Sequence, residues 1–207
     1  TNGVTMTHTT DGFSRHTQIA SRGAIAAGNV TITADGHIIS TGSQLTGDTI
    51  TLTGKQGVTL DAATHTHTTN HSTRTSHTGT DIQAGNLTIE SDQAVTLNAS
   101  SIAATGDTTL KSTTIAVNAI AHSGNFGSLQ KTDVSQGSTQ IGGDLTMTAT
   151  DTASITGESL AITGDTAINA DTIKLASTQT KRSQNTGNYS MRETNQVKAG
   201  ITSGSDL

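Results

Sequence analysis

The sequence predicts an all-β solenoid, a winding of coils about 20 residues long that is interrupted by polar, β-hairpin-like excursions about every 57 residues. Three observations predict it. The stretch 28–63, GNVTITADGHIISTGSQLTGDTITLTGKQGVTLDAA, recurs from Gly85 and again from Gly143 with the same apolar spacing, so the starts lie 57 and 58 residues apart. Inside each copy a second Gly-Asp, at Gly47-Asp48, Gly106-Asp107 and Gly164-Asp165, opens a further coil 19, 21 and 21 residues after the first. Finally, of 207 residues 44 are Thr and 22 are Gly, three are aromatic, and Pro and Cys are absent. So few large side chains cannot fill a round core, whereas β-branched Thr, Val and Ile suit pleated strands.

Taken in order, residues 1–27 read as the end of an earlier copy, with GVTM at Gly3 matching GVTL at Gly57, followed by a polar stretch. The chain is then expected to form one β-helical segment of a longer protein, with coil pairs at 28–63, 85–119 and 143–177. In the first pair Val30/Ile32, Ile38, Leu45, Ile50/Leu52 and Val58/Leu60 alternate with polar residues. That is the period of two of a strand with one buried face. The second pair supplies Leu87/Ile89, Val95/Leu97, Ile102, Leu110 and Ile115/Val117. The third supplies Leu145/Met147, Ile155, Leu160/Ile162, Ile168 and Ile173/Leu175. Each strand is expected to pair in parallel with the strand one coil away, and eight to ten coils would give a rod roughly 40 to 50 Å long at about 4.8 Å per coil. The Gly-Asn and Gly-Asp corners fit turns in which Gly accepts positive φ and the Asx side chain bonds its own backbone. The excursions fall in part of 1–27 and in 64–84, 121–142 and 178–207. They lack apolar alternation and read as hairpins that leave the rod and return. Phe13, Phe126 and Tyr189 all fall in them, and each ring is expected to pack an excursion onto the rod's flank, the alternative being three exposed rings that form a recognition surface.

The net charge of −5 is scattered, and a nucleic-acid partner would want a basic stripe with stacking aromatics, so none is expected. No apolar run approaches the length of a transmembrane helix, and no signal-peptide pattern opens the sequence. The most suggestive chemical cluster is THTHTTNHSTRTSH, with His65, His67, His71 and His77. His65 and His67, two apart, would share one side of a strand, a spacing that chelates Zn²⁺ or Ni²⁺ if a third ligand such as His71 arrives. No Cys or Glu accompanies them and neither of the two later excursions repeats the cluster, so exposed polar residues are the favoured reading, with no metal and no cofactor. Burial of some of these imidazoles would make the excursion respond to pH. Solenoids of this kind also host polysaccharide lyases and hydrolases, which need several charged groups converging on one face. Asp48, Asp107 and Asp165 are equivalent in the repeat, but two coils and an excursion are expected to separate them, and no catalytic residue emerges. A groove lined by three or more charged side chains would favour that carbohydrate-active alternative. Gly-Gly-x-Gly-x-Asp calcium repeats are absent.

The alternation in GNVTITA…GDTITLTGKQGVTLDAA and in GDLTMTA resembles the haemagglutinin repeats of filamentous haemagglutinin and of the CdiA-type effectors of contact-dependent growth inhibition. The excursions after Ala62-Ala63 and Ala176-Ser177 are similar to the later repeat region of those effectors. The resemblance implies a right-handed parallel β-helix and export through an outer-membrane two-partner secretion transporter to the exterior of a Gram-negative bacterium. Without Pro the chain has no Asn-Pro-Asn motif of the secretion domain, and no Val-Glu-Asn-Asn boundary motif is present, so a middle segment is expected. The expected role is that of a stalk, adhesive surface or toxin-delivery apparatus meeting a protein, lipid or glycan of a target-cell surface or envelope. Exposed sheet edges at the ends of an excised rod predict end-to-end self-association. Residues 178–207 are expected to cap the last coil through Tyr189 and Met191.

Overall fold

The computed structural model describes residues 5–10, 14–186 and 189–204, and the side chains of residues 22–186 and 189–204. Their strands fall into two systems, one parallel and one antiparallel. The parallel system consists of three ladders, which the chain visits in the same order in every round. The rounds occupy residues 24–41, 44–61, 81–98, 101–118, 139–156 and 159–176, and Gly200–Thr202 begins a seventh. The described residues thus hold six complete rounds rather than eight to ten. At about 4.8 Å per strand the first and sixth lie about 24 Å apart.

The pairing register lines up the apolar positions. In the first ladder Ile25, Leu45, Ile82 and Ile102 stack in one column. The second ladder carries two columns. One runs through Val30, Ile50, Leu87, Thr108, Leu145 and Thr166, and the other through Ile32, Leu52, Ile89, Leu110, Met147 and Ile168. In the third ladder Ile38, Val58, Val95, Ile115, Ala153 and Ile173 align. Val30, Leu87 and Leu145 are 5%, 1% and 1% exposed, as the alternation of their strands requires. Each fully buried Leu or Ile contributes roughly 1.5 to 3 kcal/mol, and the columns join into one continuous core. Two members of the expected core are not in it, Ile173 and Leu175, which are 52% and 57% exposed, and two more, Ile32 and Ile168, are only partly buried. Ile32 belongs to the first round and the other three to the last complete one, where the described strands cover one side only or, at Ile173 and Leu175, leave the side chains open. Conversely, Ile82, Ala84 and Ile141 are buried although the sequence places them in excursions. First-ladder strands are short, Asp81–Ser91 contributing only four residues and Thr139–Ile141 three, so they show too little alternation to be read.

The corners are built by stacked Asx residues, but not in the expected way. Asn86 Oδ1 accepts the Asp107 N–H at 2.9 Å, Asp107 Oδ1 that of Asp144 at 2.9 Å, and Asp144 Oδ1 that of Asp165 at 2.8 Å. Each of these side chains bonds the backbone one round on, rather than its own. Asp107 and Asp165 also lie closer than expected, two rounds apart with Asp144 between, because the intervening excursion leaves sideways and adds no height. A second corner buries a polar column. Thr80 Oγ1 donates to Ser40 O and Asp61 O, and Ser100 Oγ donates to Leu60 O. Arg22 fastens this corner by donating to Gly42 O, Ser43 O and Gly79 O and by an ion pair of 2.6 Å with Asp81.

Between every second round and the next, the chain leaves as a hairpin. The hairpins pair Thr5–Thr10 with Ser14–Ser21, Ala63–Thr69 with Ser72–Thr78, Ile120–Phe126 with Leu129–Ser135, and Thr178–Asn185 with Ser190–Val197. Thr5 and Met6, expected in a strand that closes an earlier coil, instead belong with the polar residues after them to the first arm of a hairpin, Thr5–Thr10. The hairpins pair with one another as well, giving an eight-stranded antiparallel sheet. This explains the 57-residue period. Two rounds raise the ladders by two strand spacings and one hairpin raises the second sheet by two, so both systems grow at the same rate. A hairpin after every round would crowd two strands into one spacing, and a hairpin after every third would leave a gap.

Candidate functional site

The antiparallel sheet is where exposed chemistry collects. Its strands alternate direction throughout, so the strand ends that lead into the four hairpin turns lie along one edge, successive hairpins being two strand spacings or about 9.6 Å apart. The third tip is a two-residue turn, Gly127-Ser128, with Gly127 at φ +59, the conformation a tight hairpin asks of its first turn residue. Gly127 N–H donates to His71 O at 2.7 Å, which joins the third tip to the second. Phe126 stands at this tip 42% exposed, and Tyr189 at the fourth is 57% exposed. The rings therefore do not pack the hairpins onto the ladders, nor does Tyr189 cover the last round: residues 178–197 belong to the second sheet. Only Gly200–Thr202 returns to pair with Ser159–Ile162. Phe13 lies outside the described residues.

The hairpins join near their tips and separate at their bases. The second and third pair through Asn125 with Thr73 and Phe126 with Ser72, and the third and fourth from Leu129 with Gln184 to Thr132 with Lys181. Near the bases, the rings of His77 and His122 meet edge to face, with centroids 5.2 Å apart. Burial lowers the pKa of both below the ordinary histidine value; for His77 the neighbouring His122 and His65 add to this, and for His122 Asp133 partly opposes it. Of the candidate metal ligands, His65 is half-buried with Nε2 2.8 Å from Thr78 Oγ1, while His67 and His71 are exposed, His67 on the strand and His71 at the tip. His67 sits in register between His16 and Arg74. No group of three or more His, Asp or Glu able to hold a metal gathers among the described residues.

Charge divides the molecule. Of 11 Lys and Arg, six lie in the hairpin strands (Arg15, Arg74, Lys131, Lys181, Arg182 and Arg192), whereas of 16 Asp and Glu only Asp133 and Glu193 do. The hairpin strands thus carry +4 and the remainder of the chain −9. A groove of about 840 Å³ on this sheet is lined by Lys131, Lys181, Arg182 and Arg192 among Ser, Thr, Asn and Gln. Four charges meet the number set for a carbohydrate-active site, but all are cations. The lining supplies no carboxylate, so it lacks the paired acid and base of glycoside hydrolysis.

One ionisable group escaped the sequence reading. Glu158, 3% exposed, occupies the corner position one round beyond Gly137, and its Oε1 accepts the Gly137 N–H at 2.7 Å. The Ser100 backbone fills the space a side chain of Gly137 would need, and the carboxyl satisfies the Gly137 donor from the next round. Burial pushes the Glu158 pKa up to about 7.

No curated protein and no solved structure matches the chain. The family described as Hemagglutinin repeat matches residues 4–74, which hold the first hairpin, the first two rounds and most of the second hairpin. Over that span the resemblance carried by GNVTITA and GVTLDAA is borne out: residues 4–74 carry a hemagglutinin repeat of the filamentous haemagglutinin type.

Proposed function

We propose that this chain is a right-handed parallel β-helical segment of a secreted bacterial surface exoprotein, in which the ladders act as a stalk and the hairpin sheet as the contact surface. One observation carries the reading: every second round exports a hairpin into a separate antiparallel sheet outside the ladder core, and that sheet carries a net positive charge and the exposed rings of Phe126 and Tyr189. A protein that only needed length would gain nothing from four such hairpins. The family is a structural and adhesive one whose members are secreted surface exoproteins of two-partner secretion, which agrees with this division of labour. Adhesion and toxin delivery in contact-dependent growth inhibition both use such a stalk.

The test compares adsorption of the purified, labelled chain to Gram-negative cells with that of a variant in which 121–134 and 179–196 are each replaced by a short Gly-containing turn. The expected result is an unchanged β-sheet spectrum with at least tenfold weaker adsorption. Equal adsorption of the two proteins would overturn the assignment of the contact surface to the hairpins.

A further inference from the structure

The hairpin register places two kinds of side chain in two parallel rows on one face of the sheet. At the tips, Phe126 stands opposite Leu129, Leu129 opposite Gln184, and Gln184 opposite Met191. Two residues further from the tips, Gly124 stands opposite Lys131, Lys131 opposite Arg182, and Arg182 opposite Glu193. Arg74 extends this second row, since a Cβ built on Gly124 would lie 3.6 Å from Arg74 Cα. Residues two apart on a strand share a face, so the apolar row and the cationic row lie on the same side, about 6.6 Å apart. Both rows run parallel to the line of tips. Phe126 and the three cations are exposed, and Leu129 and Met191 are half-buried. Lys131 also pairs with Asp133 at 2.8 Å and Glu193 ends the cationic row, so its charge is partly offset while the sheet as a whole stays positive.

An edge that presents Phe126 and Leu129 at the third tip and Met191 at the fourth, among the polar Ser72 and Gln184 and with cations one layer behind, fits a flat, negatively charged interface whose apolar region begins a few ångströms below its charges. A bilayer has that profile: amphipathic elements bury their apolar side about 5 to 10 Å deep while Lys and Arg meet headgroup phosphates. A soluble polyanion would use the cations but leave the apolar row without a partner. We propose that the tip edge of the hairpin sheet docks on an anionic lipid surface, with Phe126, Leu129 and Met191 entering the headgroup layer and Arg74, Lys131 and Arg182 meeting lipid phosphates. The proposal rests on reading the hairpin sheet as the contact surface and specifies what it contacts.

The chain contains one Tyr and no Trp, so its intrinsic fluorescence reports Tyr189 at the fourth tip. The intact chain is mixed with vesicles of phosphatidylcholine alone or of equal parts phosphatidylcholine and phosphatidylglycerol. Co-sedimentation is expected with the mixed vesicles only, with release in high salt and quenching of Tyr189 when the acyl chains are brominated. The double substitution Arg74→Gln and Arg182→Gln should weaken binding roughly 30-fold, at about fivefold per cation near an anionic surface. Phe126→Ser with Leu129→Ser should weaken it about tenfold, with the circular dichroism unchanged. Absence of vesicle binding, equal binding to both vesicle types, or binding that neither double variant alters would overturn the proposal. So would binding to dextran sulfate without binding to vesicles, which would assign the cations to an anionic glycan. Cell adsorption that persists in a chain unable to bind vesicles would sink the lipid assignment and leave the contact-surface reading standing.

Discussion

The ladders and the hairpin sheet are made from the same Thr-rich sequence and the same strand geometry, yet they stand on different physics. In the ladders the strands between the two end rounds bury one face, and side chains such as Ile50, Leu60, Ile89 and Ile115 are less than 2% exposed. Among the described side chains of the hairpin sheet no strand shows a run of buried positions; Thr178–Asn185 and Ser190–Val197 hold only half-buried and exposed residues. The first region is held by apolar burial plus hydrogen bonds. The second is held by backbone pairing and by being tied to the first at four places, because an isolated polar hairpin is marginal in water. The lesson is that one set of parallel ladders can carry a sheet that would not fold alone, provided the two grow by equal steps.

The sharpest way to test that contrast is to place a charge in each region. Leu87→Asp should destabilise the chain by about 4 kcal/mol or more, since it buries an unpaired carboxylate between rounds. Thr132→Asp, in the hairpin sheet opposite Lys181, should stay within about 0.5 kcal/mol. Chemical denaturation of both variants measures the difference, and comparable losses would mean that the hairpin sheet has a core after all.

Next in size is Glu158. Its folded pKa of about 7 lies above the unfolded value of 4.5, so the folded state binds more protons between them. The contribution of Glu158 to stability is therefore complete below about pH 4.5, is lost as pH rises through 7, and levels off beyond; the loss is about 3 kcal/mol. Glu158→Gln should remove most of that slope and raise the melting temperature at pH 8, while no hairpin carboxylate should do the same. A smaller gain is expected at Thr108, 1% exposed, whose hydroxyl finds no partner in a column otherwise filled by residues such as Leu87 and Leu145. Thr108→Val keeps the shape and should stabilise by about 1 kcal/mol.

The smallest effect separates the regions by pH. His77 and His122 both have lowered folded pKa values, so their contribution is complete above the ordinary value of 6.5 and is lost as pH falls below it. His65 and Asp61 act on His77, and Asp133, Lys131 and Arg74 on His122, the acids opposing the loss. Hydrogen-exchange protection in 63–78 and 120–135, corrected for the intrinsic rate at each pH, should fall between about pH 7 and 5 while that of the ladders holds, and His122→Gln should flatten the response. An equal loss of protection in both regions would place the pH sensitivity elsewhere.

Much of this fold was legible in the residues because its core repeats. Val30, Leu87 and Leu145 occupy equal places in three copies, and each copy testifies to the others. The short first-ladder strands were not legible: Ile82 and Ile141 stand among Gln, Gly and Thr, and only the register with Leu45 and Ile162 shows that they are buried. The histidines of the second hairpin were visible as a cluster, but strand pairing spread them from half-buried His65 to the tip at His71. Phe126, Arg74 and Arg182 were visible only as scattered residues.

What the sequence by itself determined is the local alternation and its period, because strand faces repeat every two residues and Gly-Asx corners mark each turn of the chain. What the tertiary structure decided is which stretches become neighbours across a gap in sequence. Hairpins 42 or more residues apart meet in one sheet because two rounds and one hairpin rise by the same height, and that equality brings Arg74, Lys131 and Arg182 into one row. No local pattern encodes it: it is a property of strand spacing summed over whole rounds, and it exists only once the ladders have formed.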